Sequence, residues 1–488
     1  MDIYHTHTIT PVESINNHIY NYSTIIIMST DNIKSVLILG SGLVSPPIIH
    51  YLTDHHINVI IASRTKSKAD HIISTLNNKS NARSIEFDVE QPDAIETKLD
   101  SLVRDVDLVV SLLPYIYHVR AANIALKYKK HFCTTSYIAP EMLQLDSQFK
   151  SNNTICLNEC GVDPGLDHMS AQRVIDHVHN AGGKIKYFTS VCGGLPSVKS
   201  NNNPLGYKLS WAPRGVLLAS RNPAKVLKDG KIIEYGPGKI YDEGVYIAED
   251  VVEGQELEWY YNRDSTAYIS IYGIEETLTC IRGTYRFRGW SRFLKALSNI
   301  GLTSTDPLDS KYHNVTYAEF MAGYVVGDIK QADNVKQAVA DKIGLKVDDD
   351  IIKRFEFLDL FSTTYKVTAN TPLDAVCYHF ERTCQYADNE QDQIVMKHTF
   401  EAEYPDGRRD TITSTLIDIG QQPTGYSSMA RTVSLPLAIA IRAILEQRIQ
   451  LNEVVGVIRP IKPVLYNLIL DEMETMGIKF TDTTHPQV

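Results

Sequence analysis

Residues 158–169 read NECGVDPGLDHM, which places three acidic side chains, two glycines, a proline and a histidine in twelve positions. Carboxylates at the end of an apolar run are candidates for general acid–base work, which needs a proton carrier within reach of the reacting atom. Asp163 stands directly before Pro164 and Gly165, where the backbone must turn sharply and aim the carboxylate into a cleft. The other reading of Asp163 is a cap for the helix that follows. Tyr137, in TTSY, is a second proton carrier or else a buried phenol with a satisfied hydroxyl. Cys192, in VCGG, is a weak acid or a small buried apolar residue, with no adjacent base to activate it. His168 and Asp167 are expected to anchor the helix and its first turn, and Glu159 to pair or to bond backbone.

A second cluster lies upstream. LILGSGLVS gives Gly40-x-Gly42-x-x-Ser45 straight after an apolar strand pattern and ahead of a helical one. The first glycine permits a tight turn, the second lets backbone approach a pyrophosphate, and the helix N-terminus supplies N–H groups and positive dipole character. Serine replaces the third glycine. The second strand ends in ASRTKSK, so Ser63, Arg64 and Thr65 stand where an NAD-binding chain carries an acid for the ribose hydroxyls. A guanidinium and two hydroxyls suit a 2′-phosphate, with no carboxylate to repel it. NADP is therefore expected over NAD. Asp88 follows the third strand pattern, near the adenine or on a solvated turn, and SLLPY (Ser111–Tyr115) is expected beneath the nicotinamide.

The elements that must position these residues follow from periodicity. SVLILGSG, INVIIAS, RSIEFDV, VDLVVSLLP, HFCTTS and TICLNEC read as buried strands, alternating with helical patterns such as 46–55 and 66–76. That alternation predicts a parallel sheet covered on both faces. SAQRVIDHVHNAGG reads as a helix stopped by Gly182 and Gly183, and KIKYFTSVCGG as a strand. Residues 230–290 suggest an antiparallel sheet and 291–389 a helical region; strands return in DQIVMKHTFEAEYPDG and DTITSTLIDI, then a helix through SLPLAIAIRAILEQR. The expected class is α/β: a Rossmann-type doubly wound parallel sheet, a mixed α/β substrate and dimerisation domain, and a helical cap domain. The predicted boundaries are 34–158 with 425–455, 159–290 with 391–424, 291–390, and a C-terminal segment 456–488.

Composition narrows the classes. The chain has 488 residues, 43% apolar and 22% charged, with a formal charge of −10 and dispersed Lys and Arg. That argues against an electrostatic nucleic-acid binder and a polybasic membrane anchor, so neither partner is expected. Seven cysteines without CxxC pairs predict reduced thiols in the cytoplasm. Cys156 and Cys160 lack a partnering Cys/His pair, and no metal is expected. The first 33 residues carry no Lys or Arg, unlike a transit peptide; they read as a disordered arm, or Met28 is the true start.

At TTSYIAP, NECGVDPGLDHM, VCGGLPS, NNPLGYKLSW, NRDST and RGTYR, in order and at preserved spacing, the chain resembles the L-glutamate-forming saccharopine dehydrogenases, also called saccharopine reductases. The likeness runs from about Ile33 to Phe480, with Cys160 where an aliphatic residue is usual and Val162 in place of leucine. SRT and the PRG after Trp211 look like the NADP type. The resemblance implies interconversion of saccharopine with L-glutamate and 2-aminoadipate 6-semialdehyde in lysine metabolism, by a homodimer. The alternatives are an NAD-dependent enzyme of lysine degradation and a reductase of another imino-acid adduct. For this sequence it implies Asp163 and Tyr137 at the chemistry, with Cys192 kept as a candidate weak acid or a structural residue. Cofactor contacts are implied at Gly40, Ser41, Gly42, Leu43, Val44, Ser63, Arg64, Thr65, Phe87, Asp88, Ser111, Leu112, Thr134, Thr135, Gly161, Val162, Asp163, Ser210 and Trp211. Substrate contacts are implied at Thr135, Ser136, Asp163, Arg263, Thr284, Tyr285 and Arg286. Read without the resemblance, either arginine is as well an interstrand salt-bridge partner.

Overall fold

The computed structural model describes residues 34–487 apart from 92–93, 212 and 249–250. The expectations for residues 1–33 lie outside the described residues.

Six short strands, β1 (Ser35–Leu39), β2 (Asn58–Ser63), β3 (Ala82–Glu86), β4 (Leu108–Ser111), β5 (His131–Thr134) and β6 (Ile155–Leu157), form a parallel sheet in the order 6-5-4-1-2-3. Their near-continuous apolar runs have a simple cause, since strand alternation sends successive residues to opposite faces and both faces are buried. Val36, Ile38, Val59, Ile61, Leu108 and Val110 join one core; Leu37, Leu39, Ile60, Ala62 and Val109 join another across the sheet. Each such side chain contributes about 1.5–3 kcal/mol of burial. Strand order reverses direction between β1 and β4, so a crevice opens beyond their C-terminal ends.

The second sheet is mixed. It contains β7 (Lys184–Pro196), β8 (Ala224–Lys228), β9 (Lys231–Tyr235), β10 (Val245–Ala248), β11 (Leu257–Tyr261), β12 (Thr279–Phe287), β13 (Asp392–Glu403) and β14 (Arg409–Ile419). The antiparallel reading of 230–290 needs one amendment: β12 lies antiparallel to β11 but parallel to β7, the long strand in the middle of the sheet. Two late strands complete the two sheets. β15 (Gly456–Ile458) pairs parallel with β6, and β16 (Thr481–Pro486) antiparallel with β14. The strands of the C-terminal segment are thus divided between the two sheets.

The helical region packs on the mixed sheet. Helices Trp290–Asn299, Asp350–Phe357 and Pro372–Thr383 share one hydrophobic core with Tyr207, Tyr260, Tyr261 and Ile281, the last three on β11 and β12. These helices are apolar on one face and need the sheet to bury it.

The Ser428–Leu445 helix is long and apolar enough to cross a membrane by length and composition, and it is 83% buried inside the protein. Its N-terminus is tied to the mixed sheet, because the Asp392 carboxylate accepts from the amides of Ser428 (2.6 Å) and Met429 (2.8 Å). Six residues on, the Ser434 hydroxyl donates to the Val44 carbonyl in the glycine-rich turn. One helix therefore connects the substrate sheet to the nucleotide turn. Replacing Asp392 by alanine leaves both amides without their acceptor. The expected loss is about 1–2 kcal/mol, read as a lower urea midpoint than the wild-type protein.

Candidate active site

The glycine-rich turn sits at the crevice. Gly40 has φ +112°, and a Cβ there would lie 3.2 Å from the Leu112 carbonyl oxygen on the neighbouring strand end, so only glycine fits. A Cβ on Gly42 would meet nothing within 4 Å, which leaves open space where a pyrophosphate approaches. The helix that follows starts with Pro46 and Pro47, so its first two positions have no N–H to offer. The expected helix N-terminus is thus reduced, and anion binding falls to amides of the turn itself. Leu43 is exposed there, and Val44 is held by Ser434.

At the end of β2 the Ser41 and Ser63 hydroxyls are 2.6 Å apart. Arg64 and Thr65 are exposed, and among the described residues the Arg64 guanidinium has only a 3.4 Å contact to exposed Glu90. Such a surface pair is weak and readily exchanged for a phosphate. Asp88 bonds locally to the Glu90 amide and the Gln91 side chain. The residues present fit a phosphorylated dinucleotide.

Some expected cofactor residues have buried side chains. Ser111, Thr134 and Phe87 have 0%, 1% and 2% of their surface exposed. The Thr134 hydroxyl donates to the Ser111 carbonyl (2.9 Å), and the Ser111 hydroxyl meets His118 Nδ1 (2.8 Å). Alternation along short strands turned these side chains inward. Val162 is also buried, and Gly161 packs against Thr135, where an added Cβ would lie 3.2 Å from Thr135 Cβ.

Across the crevice, the turn after β6 carries Asp163. Gly161 N–H bonds the Pro164 carbonyl (2.9 Å) and Leu166 N–H the Gly161 carbonyl (2.8 Å). Gly165 has φ +149°, and a Cβ there would lie 2.0 Å from Gly161 O. The Leu166–Asn180 helix starts here, with Asp167 accepting from the Gly165 amide (2.5 Å). Capping thus falls to Asp167, and Asp163 is free to face the cleft.

Asp163 is met by two groups. Arg282, on β12, pairs with Asp163 through Nη2 and with Asp167 through the same nitrogen (2.7 Å). The Tyr137 hydroxyl donates to Asp163 Oδ1 (3.2 Å). Arg263 lies with Cζ 5.0 Å from the Tyr137 ring centroid, and Arg282 sits 4.4 Å from that of Tyr268. Arg263 has φ +57° and Glu159 φ +55°, uncommon for non-glycine residues. The two carboxylates on Arg282 differ in access, as Asp163 keeps 16% of its side chain exposed and Asp167 1%. Burial raises the Asp163 pKa despite the opposing charge of Arg282. Burial acts the same way on Asp167, but His168, Arg282 and the Gly165 amide outweigh it and hold that carboxyl low. Burial lifts the Tyr137 hydroxyl well above its ordinary value, so it remains a donor.

Behind this cluster Glu159 accepts from Ile138 N–H (2.9 Å) and Arg459 Nε (2.8 Å), and it meets His168 Nε2 at 2.9 Å. His168 Nδ1 reaches the Tyr272 hydroxyl at 2.6 Å. Burial opposes ionisation of Glu159, yet His168, Arg459 and the Ile138 amide together bring its carboxyl down to about 2.

The remaining expected residues divide by strand alternation. Arg282, Thr284 and Arg286 share one face of β12, while Tyr285 turns to the other and joins Val191, Leu195 and Phe287. The Tyr285 side chain thus faces away from Thr284 and Arg286. Arg286 is 6% exposed beside Tyr207 and Trp290, with its Nε lacking a partner among the described residues. Thr284 is half-buried and faces Cys192 in register. Burial, reinforced by Asp163 and Asp167, pushes the Cys192 thiol well up, so it stays protonated and is not the base. Ser136 and Thr135 are half-buried beside Tyr137. Ser210 lies near Gly194 of β7, and Trp211, 39% exposed, covers Gly215.

Two residues escaped sequence reasoning. Arg282 stands in TCIRGTYR, four positions before Arg286, and a period of two would have put both on one face. His118 had no local motif, and only the fold brings it between β4 and β5.

A nucleotide turn at a parallel-sheet switch point, with a carboxylate and a phenol beyond strands of the same sheet and guanidinium groups from a second sheet, defines a pyridine-nucleotide oxidoreductase. Residues 36–157 match the saccharopine dehydrogenase NADP binding domain and residues 161–478 the saccharopine dehydrogenase C-terminal domain. The chain belongs to the saccharopine dehydrogenase family. It is 37% identical over 456 residues to saccharopine dehydrogenase [NADP(+), L-glutamate-forming] of Schizosaccharomyces pombe, covering 92% of this chain and 98% of that one. Its identity to the Saccharomyces cerevisiae protein of the same name is 38% over 459 residues, covering 92% and 99%. The solved apo structure of saccharopine dehydrogenase (L-Glu forming) from Saccharomyces cerevisiae superposes with a TM-score of 0.81 at 37% identity, over 93% of this chain and 100% of that one.

Two outcomes follow from these charges. Arg282→Met leaves Asp163 and Asp167 unpaired in a buried site, with an expected loss of about 3–5 kcal/mol in denaturant titration. Glu159 has its folded pKa depressed from 4.5 to about 2, so its stabilising contribution is present above pH 4.5 and lost as pH falls toward 2. The stability gap between wild type and Glu159→Gln should therefore narrow over that acid range, measured by unfolding at fixed pH values.

Proposed function

We propose that this chain catalyses the reversible NADP-dependent oxidation of saccharopine to L-glutamate and 2-aminoadipate 6-semialdehyde. The observation that carries the reading is the partly exposed Asp163 carboxylate, buttressed by Arg282 and Tyr137, beside Arg263 and across the crevice from a 2′-phosphate-compatible turn. Bound NADP supplies the hydride acceptor. The protein's own groups do the rest.

Saccharopine carries three carboxylates and a secondary amine, and cations must hold it. Arg282 is committed to Asp163 and Asp167, while Arg286, four residues on along the same strand face, keeps an Nε without a partner among the described residues for a carboxylate. Arg263 is exposed at the cleft and free to close a guanidinium fork on a carboxylate. Asp163 accepts the proton of the substrate nitrogen as the carbon–nitrogen bond becomes an imine. It returns that proton to the imine nitrogen as water adds, takes one from the water, passes it to nitrogen, and accepts the hydroxyl proton as the carbinolamine collapses to amine and aldehyde, releasing it to solvent. Tyr137, kept as a phenol, donates to Asp163 Oδ1 and steadies the charged carboxylate. Asp167 keeps Arg282 in place but has no surface from which to exchange protons.

The reading extends to a homodimer in the cytoplasm. Ile417 and Ile419, 43% and 48% exposed on β14, support an apolar contact between copies. All seven cysteines are unpaired, which supports a reducing compartment.

The deciding experiment is nucleotide reduction by saccharopine, followed with NADP and with NAD. Turnover with NADP and little with NAD is expected; no turnover with either rejects the reading. Asp163→Ala should lower kcat by about 10²–10⁴-fold. Arg64→Ala should cost about 10–100-fold in kcat/KM for NADP, the equivalent of one charge-assisted contact, with little change for NAD.

A further inference from the structure

We propose that His118 is a positioning residue that fixes the direction of the Ser136 hydroxyl, making it a hydrogen-bond donor aimed at a carboxylate of the bound substrate. The inference rests on the functional reading above for the identity of that ligand, but the geometry stands by itself. His118 belongs to the His118–Lys127 helix and is 4% exposed. Its ring bridges the C-terminal ends of two strands of the parallel sheet: Nδ1 lies 2.8 Å from Ser111 Oγ and Nε2 lies 2.8 Å from Ser136 Oγ.

Which nitrogen carries the proton follows from the satisfaction of buried groups. Ser111 has no exposed surface, and among the described residues its hydroxyl has no acceptor other than His118 Nδ1. Buried hydroxyls are almost always paired. Ser111 therefore donates to Nδ1, and a ring with one hydrogen must carry it on Nε2. Burial draws the His118 pKa down to about 4, which keeps the ring singly protonated at neutral pH. Nε2–H then donates to Ser136 Oγ, with Thr134 Oγ1 at 3.4 Å as a secondary acceptor. Ser136 has accepted a bond from inside and keeps its own hydrogen for the cleft, where it is half-buried next to Tyr137. The opposite tautomer would reverse every bond, so that Ser136 spent its hydrogen on His118 and offered only lone pairs to an anion.

Two measurements test this. In protein labelled with 15N-histidine, the His118 ring, assigned by its disappearance in His118→Gln, should show the hydrogen on Nε2 without any ligand. A hydrogen on Nδ1 overturns the proposal, whatever the protein's activity. Steady-state kinetics supplies the second. Ser136→Ala should raise the KM for saccharopine about tenfold, the worth of one hydrogen bond to a charged group, and change kcat less. His118→Ala should do the same, the double variant should be no worse than Ser136→Ala, and His118→Gln, with an acceptor and a donor at similar spacing, should recover most of the loss. Additive effects of the two alanine changes would show that His118 acts other than through Ser136 and would sink the proposal. A wild-type protein that does not turn over saccharopine defeats the functional reading instead, and leaves the tautomer for the spectrum to decide.

Discussion

One guanidinium organises the cleft. Arg282 brings a single positive charge to two carboxylates, Asp163 and Asp167, and lays its plane on Tyr268. Two buried acids cannot both ionise cheaply beside each other, and a lone cation between them divides their roles. Asp167 receives His168, the Gly165 amide and the interior, so it is the permanent anion. Asp163 receives the cleft and a raised pKa, so it is the group able to take up and release protons. Without the cation the turn after β6 would hold two repelling carboxylates and could not close as it does.

That pairing also joins the two sheets. Asp163 and Tyr137 come from loops at the end of the parallel sheet, whereas Arg282 and Arg263 come from the mixed sheet. The second connection is mechanical rather than ionic. The Ser428–Leu445 helix starts on the Asp392 carboxylate of the mixed sheet and reaches the nucleotide turn through Ser434. The Glu159–His168–Arg459 group adds a third, because Arg459 follows directly on β15. Nucleotide turn, acid and cations are thereby fixed on elements that share buried contacts, as precise positioning requires.

At the nucleotide edge, selectivity rests on charge at the surface. Arg64 is exposed and loosely paired, so it is available to a phosphate, and the end of β2 carries no acid to repel one. The two prolines at the head of the next helix remove N–H groups that commonly serve a pyrophosphate, which leaves the turn amides around the open space at Gly42 to do so.

Much of this was legible in the chain itself. Short apolar runs alternating with amphipathic stretches determined the parallel sheet, since a strand buried on both faces must be apolar throughout. The glycine pattern and the SRT that follows β2 determined the nucleotide turn and its preference, because steric room and charge there are local properties. Asp163 and Tyr137 stood out for the same reason, being close in sequence to the breakers that aim them. Burial was not local. Whether Ser111 and Thr134 reach a ligand, or Tyr285 shares a face with Arg286, depended on strand register and on what covers each face. The late strands β15 and β16 went to different sheets because each sheet edge had unpaired backbone groups to satisfy. Arg282 and His118 became meaningful only when folding set them against groups more than a hundred residues away in one case and on a neighbouring strand in the other. Local sterics and charge are written in short stretches of sequence; the partner of a buried ion or a buried hydrogen is decided by the tertiary structure, because only there is water removed and a specific counterpart required.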